Sequence, residues 1–275
     1  MKKIYFMGGF PRAGNTLLTS ILNQNDNIFA TGLSSIPEIF ESLQRITHES
    51  LPYRSCPSLN NFINLSHDIF NSYYKDRKED YIIERGTWTN PFNYLTLEEF
   101  CPNEIKIVFL VRSLKDIVRS YLKLAEKYPN MHVNQYYDQL DKTTVYKSEV
   151  EEKVDFLFAK EGWIDRSLYS IKWLIDNDKT ETIRILDYDD LVQNPQKKVK
   201  DLYEYLEISQ FNHDFSHLEQ VTNYGIDYND EDYLGAPYHI IRTRGINKEE
   251  NHITLPLHIV EMCDRVENWK SMRRL

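Results

Sequence analysis

Ile4-Tyr5-Phe6-Met7-Gly8-Gly9-Phe10-Pro11-Arg12-Ala13-Gly14-Asn15-Thr16-Leu17-Leu18 joins two periodicities in one short stretch. Ile4–Met7 is a continuous apolar run ended by two glycines, and beyond it Leu17, Leu18, Ile21 and Leu22 recur at helical spacing. That order predicts a strand, a glycine-rich turn and a helix. Gly9 to Thr16 also has the spacing of a phosphate-binding loop, G-x-x-x-x-G-K-[ST], with Asn15 where the lysine belongs. Such a turn aims successive N–H groups at one anion, and the helix dipole adds partial positive charge there. In nucleoside triphosphatases the lysine reaches the terminal phosphates. Here the cation has moved into the loop, at Arg12, which suits one phosphate joined to a sulfate better than a triphosphate with Mg²⁺. A Gly/Pro turn that merely caps a helix is the competing reading.

Working outward, Ile28–Thr31 reads as a second strand closed by Gly32. Ile36–Ile46 reads as a helix opened by Ser35 with Glu38 three residues on, a capping-box pattern. Leu59–Tyr74 is a further helix and Tyr81–Glu84 a brief strand. Ile105–Val111 is apolar except for Lys106, as expected of a strand buried on both faces of a parallel sheet, and a helix follows from Leu114 to about Lys127. Asn130–Ser148, polar and tyrosine-rich, reads as an exposed excursion. Val154–Asp176 is expected as one helix, Thr182–Leu186 as a strand and Lys197–Leu206 as a helix after Pro195. Asn223–Tyr238 is acidic and turn-rich, and Leu255–Trp269 is a closing helix. Strands alternating with helices predict an α/β fold, a P-loop-containing, doubly wound parallel sheet flanked by helices. With no repeat or linker, residues 1–275 read as a single domain.

A net charge of −9 with no basic stripe argues against a nucleic-acid partner. An acidic chain that takes a polyanionic ligand must do so locally, through a few placed Arg, Lys and N–H groups. Cys56, Cys101 and Cys263 are odd in number, far apart and in no CxxC arrangement, which fits a reducing cytoplasm without a disulfide framework or zinc site. No run approaches a membrane span, and the start enters a strand at once, leaving no room for a signal peptide.

Three more segments carry candidate chemistry. Val111-Arg112-Ser-Leu-Lys-Asp-Ile-Val-Arg-Ser120-Tyr121 follows the apolar strand, so Arg112 at the strand end and Ser120 two turns into the helix are placed to converge on one phosphate. The alternative is an arginine paired with Asp116 on a helix surface. Leu186-Asp-Tyr188-Asp-Asp-Leu191-Val-Gln-Asn-Pro195 follows a late strand; Tyr188 either meets a ligand ring or packs the sheet edge. Leu234-Gly-Ala-Pro-Tyr-His239-Ile-Ile-Arg242-Thr-Arg244-Gly245-Ile-Asn-Lys248 gathers three cations on a glycine-punctuated loop, otherwise a solvated basic loop.

In this order the four segments resemble those of sulfotransferases that use 3′-phosphoadenosine 5′-phosphosulfate (PAPS), most closely the bacterial and phage-type soluble enzymes. The first is similar to the family's 5′-phosphosulfate loop, G-x-P-[RK]-S-G-T-T-x-L, departing at Ala13 and Asn15. The resemblance implies that Pro11, Arg12, Ala13, Gly14, Asn15, Thr16 and Leu17 hold the 5′ end of the co-substrate. It further implies that Arg112 and Ser120 hold the 3′-phosphate, that Tyr188 lies by the adenine, and that the loop of Arg242, Arg244, Gly245 and Lys248 closes over the 3′-phosphate, without saying which of its three cations reaches it. No metal is expected, since Arg side chains can neutralise the charge.

Sulfuryl transfer is a loose in-line displacement in which charge builds on the bridging oxygen of the leaving group. Arg12 is the first candidate to meet that charge. Arg85, where relatives often have a catalytic lysine, is the second. A hydroxyl acceptor also calls for a general base. Gly86-Thr87-Trp88 lacks the histidine that many cytosolic relatives place there, and Gly32-Leu33-Ser34-Ser35 lacks the glutamate of tyrosylprotein-type relatives. Glu38 is the nearest carboxylate, with a competing role as a helix cap; Glu84 reads as a partner for Arg85, and His239 is a further possibility. The acceptor, whether small molecule, glycan or peptide, is not specified. A P-loop kinase and a non-catalytic nucleotide-binding module stand as alternatives.

Overall fold

The structure, a computed structural model, describes residues 2–100, 105–131, 148–160, 162–220, 222, 225–226, 228–241, 245–246 and 252–275. Five strands, β1 (Lys3–Gly9), β2 (Ile28–Ala30), β3 (Tyr81–Arg85), β4 (Ile107–Val111) and β5 (Ile183–Asp187), form one sheet in the order β2-β3-β1-β4-β5. Every pairing is parallel. Parallel strands need crossovers, and helices supply them on both faces, which is why all five residues of β4 are buried. The helices are α1 (Asn15–Leu22), α2 (Ile36–Glu49), α3 (Leu51–Ser55), α4 (Leu59–Tyr73), α5 (Pro91–Phe100) and α6 (Leu114–Lys127). They continue with α7 (Glu149–Phe158), α8 (Trp163–Asp176), α9 (Tyr188–Gln193), α10 (Pro195–Leu206), α11 (Asp230–Leu234) and α12 (Leu257–Val266).

Sheet order positions the site. From β1 the chain crosses to β2 and β3 on one side, then passes β1 to β4 and β5 on the other. The direction of winding reverses at β1 and β4, and in such sheets the crevice beyond the carboxyl ends at that switch is where ligands bind. Arg12 follows β1 and Arg112 follows β4, so two predicted cations flank the crevice.

Local sequence explains the flanking helices. In α6 the residues Leu114, Ile117, Val118, Tyr121, Leu122 and Ala125 are buried, a three-and-four spacing that lays one stripe on the sheet. Each fully buried Leu or Ile there contributes about 1.5–3 kcal/mol. Ser113 precedes the stripe and Ser120 lies on the turn facing the crevice.

Several predicted elements differ. The single helix expected over Val154–Asp176 is two, α7 and α8. Its apolar phase continues through Val154, Leu157, Ile164, Ile171 and Leu174, all buried, which is why periodicity alone hides the break. At Gly162 a Cβ would lie 2.6–2.8 Å from the carbonyl oxygens of Phe156, Ala159 and Leu157, so only glycine permits this turn. α7 instead begins earlier, where Ser148 Oγ accepts from Glu151 N–H at 3.3 Å. α5 was hidden by its mixed composition; it starts at Pro91, and Asn90 Oδ1 accepts from Phe92 N–H at 3.0 Å. The closing helix stops at Val266 and continues as a 3₁₀ turn, Asn268–Ser271. Of the Asn130–Ser148 excursion, residues 132–147 lie outside the described residues.

The chain end completes the sheet. Leu275 N–H donates to Ile185 O at 3.0 Å and Ile185 N–H to Arg273 O at 2.8 Å, so the tail covers the outer edge of β5.

Candidate active site

The strands and the segments that follow them deliver residues to one cavity of about 570 Å³ at the carboxyl end of the sheet. The loop after β1 is its floor. Gly14 has φ +89°, and a Cβ there would meet the Tyr188 ring at 2.7 Å, so glycine is required twice over. Ala13 is buried, its N–H donates to Phe10 O at 3.2 Å, and it does not line the cavity. The first N–H groups of α1 have no intrahelical partner and are available to an anion.

Asn15 does not do what its place in the motif suggests. Its Nδ2 donates to Phe10 O at 2.9 Å, closing the loop on itself, so its side-chain donor is committed within the protein. Asn15 still borders the cavity, where it offers backbone rather than an amide side chain.

Three arginines take over the positive charge. Arg12 adopts a left-handed backbone, φ +60°, and reaches across the cavity. Its Nε donates to Ser120 Oγ at 3.1 Å and an Nη to the Tyr238 carbonyl at 2.7 Å. Arg85, at the end of β3, donates from one Nη to Thr16 Oγ1 at 3.1 Å and to Gly32 O at 2.7 Å. Arg112 donates to the Arg12 carbonyl at 3.1 Å and lays its guanidinium 4.4 Å from the Tyr188 ring centroid. The Nε of Arg112 is buried with no partner among the described residues. Burial lowers the proton affinity of Arg12 and Arg85, yet arginine is too basic to lose its charge, so the cavity holds desolvated positive charge.

The structure thus brings together Pro11, Arg12, Gly14, Asn15, Thr16, Leu17, Arg85, Arg112, Ser120, Tyr188 and Gly245 along one cavity. Arg242, Arg244 and Lys248 lie outside the described residues. Glu38 is not brought to the site. It is exposed on the first turn of α2, does not line the cavity, and the cap there is made by Ser34 Oγ accepting from Ile36 N–H at 3.1 Å.

Glu84 does not pair with Arg85, because adjacent strand residues face opposite sides of the sheet. It is fully buried and accepts a hydrogen bond from the Tyr74 hydroxyl. Burial pushes its carboxyl up to about 8, against a hydrogen bond from Ser34 that pulls it down. The folded protein therefore holds a proton that the unfolded chain releases above pH ~4.3, and stability falls as pH rises from there through about 8. Glu84→Gln is expected to remove that decline. Melting curves across this range should show the variant gaining most above pH 8, by a few kcal/mol at about 1.4 per pKa unit; an equal change at all pH values would contradict the assignment.

Sequence reading missed the roof. Tyr121, Trp163 and Tyr238 form an aromatic wall, with Trp163 5.3 Å from Tyr121 and 5.5 Å from Tyr238 between centroids. Trp163 is signalled only by its place after the helix-breaking Gly162. Asp230 lies in the stretch read as merely acidic and turn-rich; it is buried and bonds His239.

The profile of the sulfotransferase family matches residues 5–213. The chain belongs to the sulfotransferase family. Its fold is similar to that of the sulfotransferase domain from the curacin biosynthetic pathway, at 14% identity and a TM-score of 0.59, covering 100% of this chain and 99% of that one. A sulfotransferase from Alicyclobacillus acidocaldarius shares 16% identity over 78% of this chain and 85% of its own, with a TM-score of 0.48. A mouse sulfotransferase complexed with PAP shares 14% identity over 77% of this chain and 61% of its own, with a TM-score of 0.43. No curated protein matches by sequence. Among the described residues no helix is long and apolar enough to cross a membrane.

Proposed function

We propose that this sulfotransferase takes PAPS as donor and transfers its sulfuryl group to a hydroxyl or amine of a small-molecule, glycan or peptide acceptor. The observation that supports it is the convergence of Arg12, Arg85 and Arg112 from three strand ends on one cavity, with Arg112 Nε buried and unpartnered among the described residues. A buried donor without an acceptor costs about 1–3 kcal/mol, and an anion entering beside it recovers that cost. PAPS supplies the activated sulfuryl group. In this reading Thr16 and the first N–H groups of α1 hold the 5′-phosphate, while Arg112 and Ser120 hold the 3′-phosphate. Arg12 and Arg85 face the bridging oxygen, where charge appears as the bond breaks. Tyr188, wedged between Gly14 and Arg112, borders the adenine. The P-loop kinase reading loses ground because Asn15 cannot replace the missing lysine while bound to Phe10 O. Residues 1–275 act as one domain in this proposal, in the cytoplasm.

The test is calorimetry with adenosine 3′,5′-bisphosphate (PAP) in excess EDTA. Binding is expected to survive chelation and to exceed that of ATP–Mg²⁺ clearly. Loss of binding on chelation, or tighter ATP binding, would overturn the proposal.

A further inference from the structure

An acceptor hydroxyl must lose its proton as its oxygen bonds sulfur, and neither family template supplies the base. Glu38 is outside the cavity and Glu84 faces the far side of the sheet. Among the described residues lining the cavity there is no carboxylate, and His239 is the one imidazole.

His239 is held to an unusual degree. Its N–H donates to Asp230 Oδ2 at 2.8 Å, and its ring Nδ1 meets Asp230 Oδ1 at 2.8 Å, so one carboxylate grips both backbone and side chain. Its carbonyl accepts from Gln220 Nε2 at 2.7 Å. Its ring stacks on Tyr228, 4.7 Å between centroids and 20° between planes. Nε2 is the ring nitrogen with no hydrogen bond among the described residues. A carboxylate only accepts, so Nδ1 carries the proton toward Asp230 and Nε2 of the neutral ring carries a lone pair. His239 also lines the cavity, with 15% of its side chain accessible.

We propose that His239, oriented by Asp230, is the general base that takes the acceptor's proton at Nε2. The inference rests on the sulfuryl-transfer reading above. The acceptor oxygen forms a bond to sulfur while the bridging S–O bond of PAPS breaks, and PAP leaves with that electron pair. The acceptor proton passes to Nε2, and the imidazolium returns it to solvent before the next turnover. Burial and the Arg85 guanidinium hold the imidazole below its ordinary value, opposed by Asp230, with Arg12 adding to the lowering. The ring is therefore neutral at physiological pH and ready to accept. Arg85 thus has a second effect: it holds the loop threonine by a hydrogen bond, and its charge also lowers the proton affinity of this histidine.

The experiment measures release of PAP from PAPS, with water and with a panel of simple alcohols as acceptors, alongside PAP binding by calorimetry. Wild type is compared with His239→Ala, His239→Asn and Asp230→Asn. His239→Asn keeps an N–H for Asp230 but has no base, so it separates chemistry from loop anchoring. Both His239 variants are expected to lose about 10²–10⁴-fold in kcat, with PAP affinity within about threefold of wild type. The wild-type rate should rise with pH through a pKa below the ordinary histidine value of about 6.5. In Asp230→Asn that limb moves to lower pH, because the group that raises the imidazole is gone. Retained turnover in His239→Asn, or a wild type that binds PAP but turns over PAPS with no acceptor, overturns the assignment. Failure of the wild type to bind PAP would instead strike the donor reading.

Discussion

Arg12→Ala is expected to lower kcat by about 10²–10³-fold, the loss seen when one donor to a developing oxyanion is removed, while the apparent affinity for PAPS moves much less. The geometry gives the reason. Arg12 is fixed before the ligand arrives, by Ser120, by the Tyr238 carbonyl and, through its own carbonyl, by Arg112. Preorganised charge costs no reorganisation when the bond breaks, and a group that meets charge only then lowers the barrier without tightening ground-state binding. The left-handed backbone offers a control. A non-glycine residue there carries about 1–2 kcal/mol of strain, so Arg12→Gly removes the side chain and the strain together. It should be more stable than Arg12→Ala and equally slow. Steady-state kinetics and melting curves on the pair check this. If Arg12→Ala merely raised KM at unchanged kcat, the transition-state role would pass to Arg85.

Arg112→Ala is expected to weaken PAP binding by about 2–4 kcal/mol, the range for breaking a desolvated charge pair. With adenosine 5′-monophosphate, which lacks the 3′-phosphate, the loss should shrink sharply. Arg112 has structural partners as well, the Arg12 carbonyl and the Tyr188 ring. The residual loss with the monophosphate therefore reads their share. Equal losses with both ligands would mean that Arg112 acts by shaping the loop alone. Calorimetry with the two nucleotides distinguishes these outcomes.

The parts of the site that local sequence determines were the legible ones. β1, its glycine-rich turn and α1 are contiguous, and the turn's chemistry follows from spacing. Arg112 was found because a fully apolar strand ends at it. For Asn15 spacing fixes a backbone position on the cavity but does not say which way a short amide turns; here the Phe10 carbonyl is within its reach. Glu38 was proposed from proximity in sequence, whereas its helix carries it to solvent. The aromatic wall and the Asp230–His239 pair depend on contacts between elements, and no periodicity encodes those. The break at Gly162 was invisible because the apolar stripe resumes in phase beyond it.

The hydrogen bond from Arg12 to Tyr238 closes a loop of 226 residues, and Ser20 to Glu219 closes one of 199. Contacts so distant along the chain form late, since the entropy of closing the intervening segment must be met first. During synthesis, at about 5–20 residues per second, all five strands are made before Gln220, Asp230 and His239. At that stage the roof has Tyr121 and Trp163 but still lacks Tyr238. The anion loop is thus made long before Tyr238, which fixes Arg12, and before the proposed proton acceptor His239; the cavity is complete only once the last quarter of the chain folds back onto the first helix.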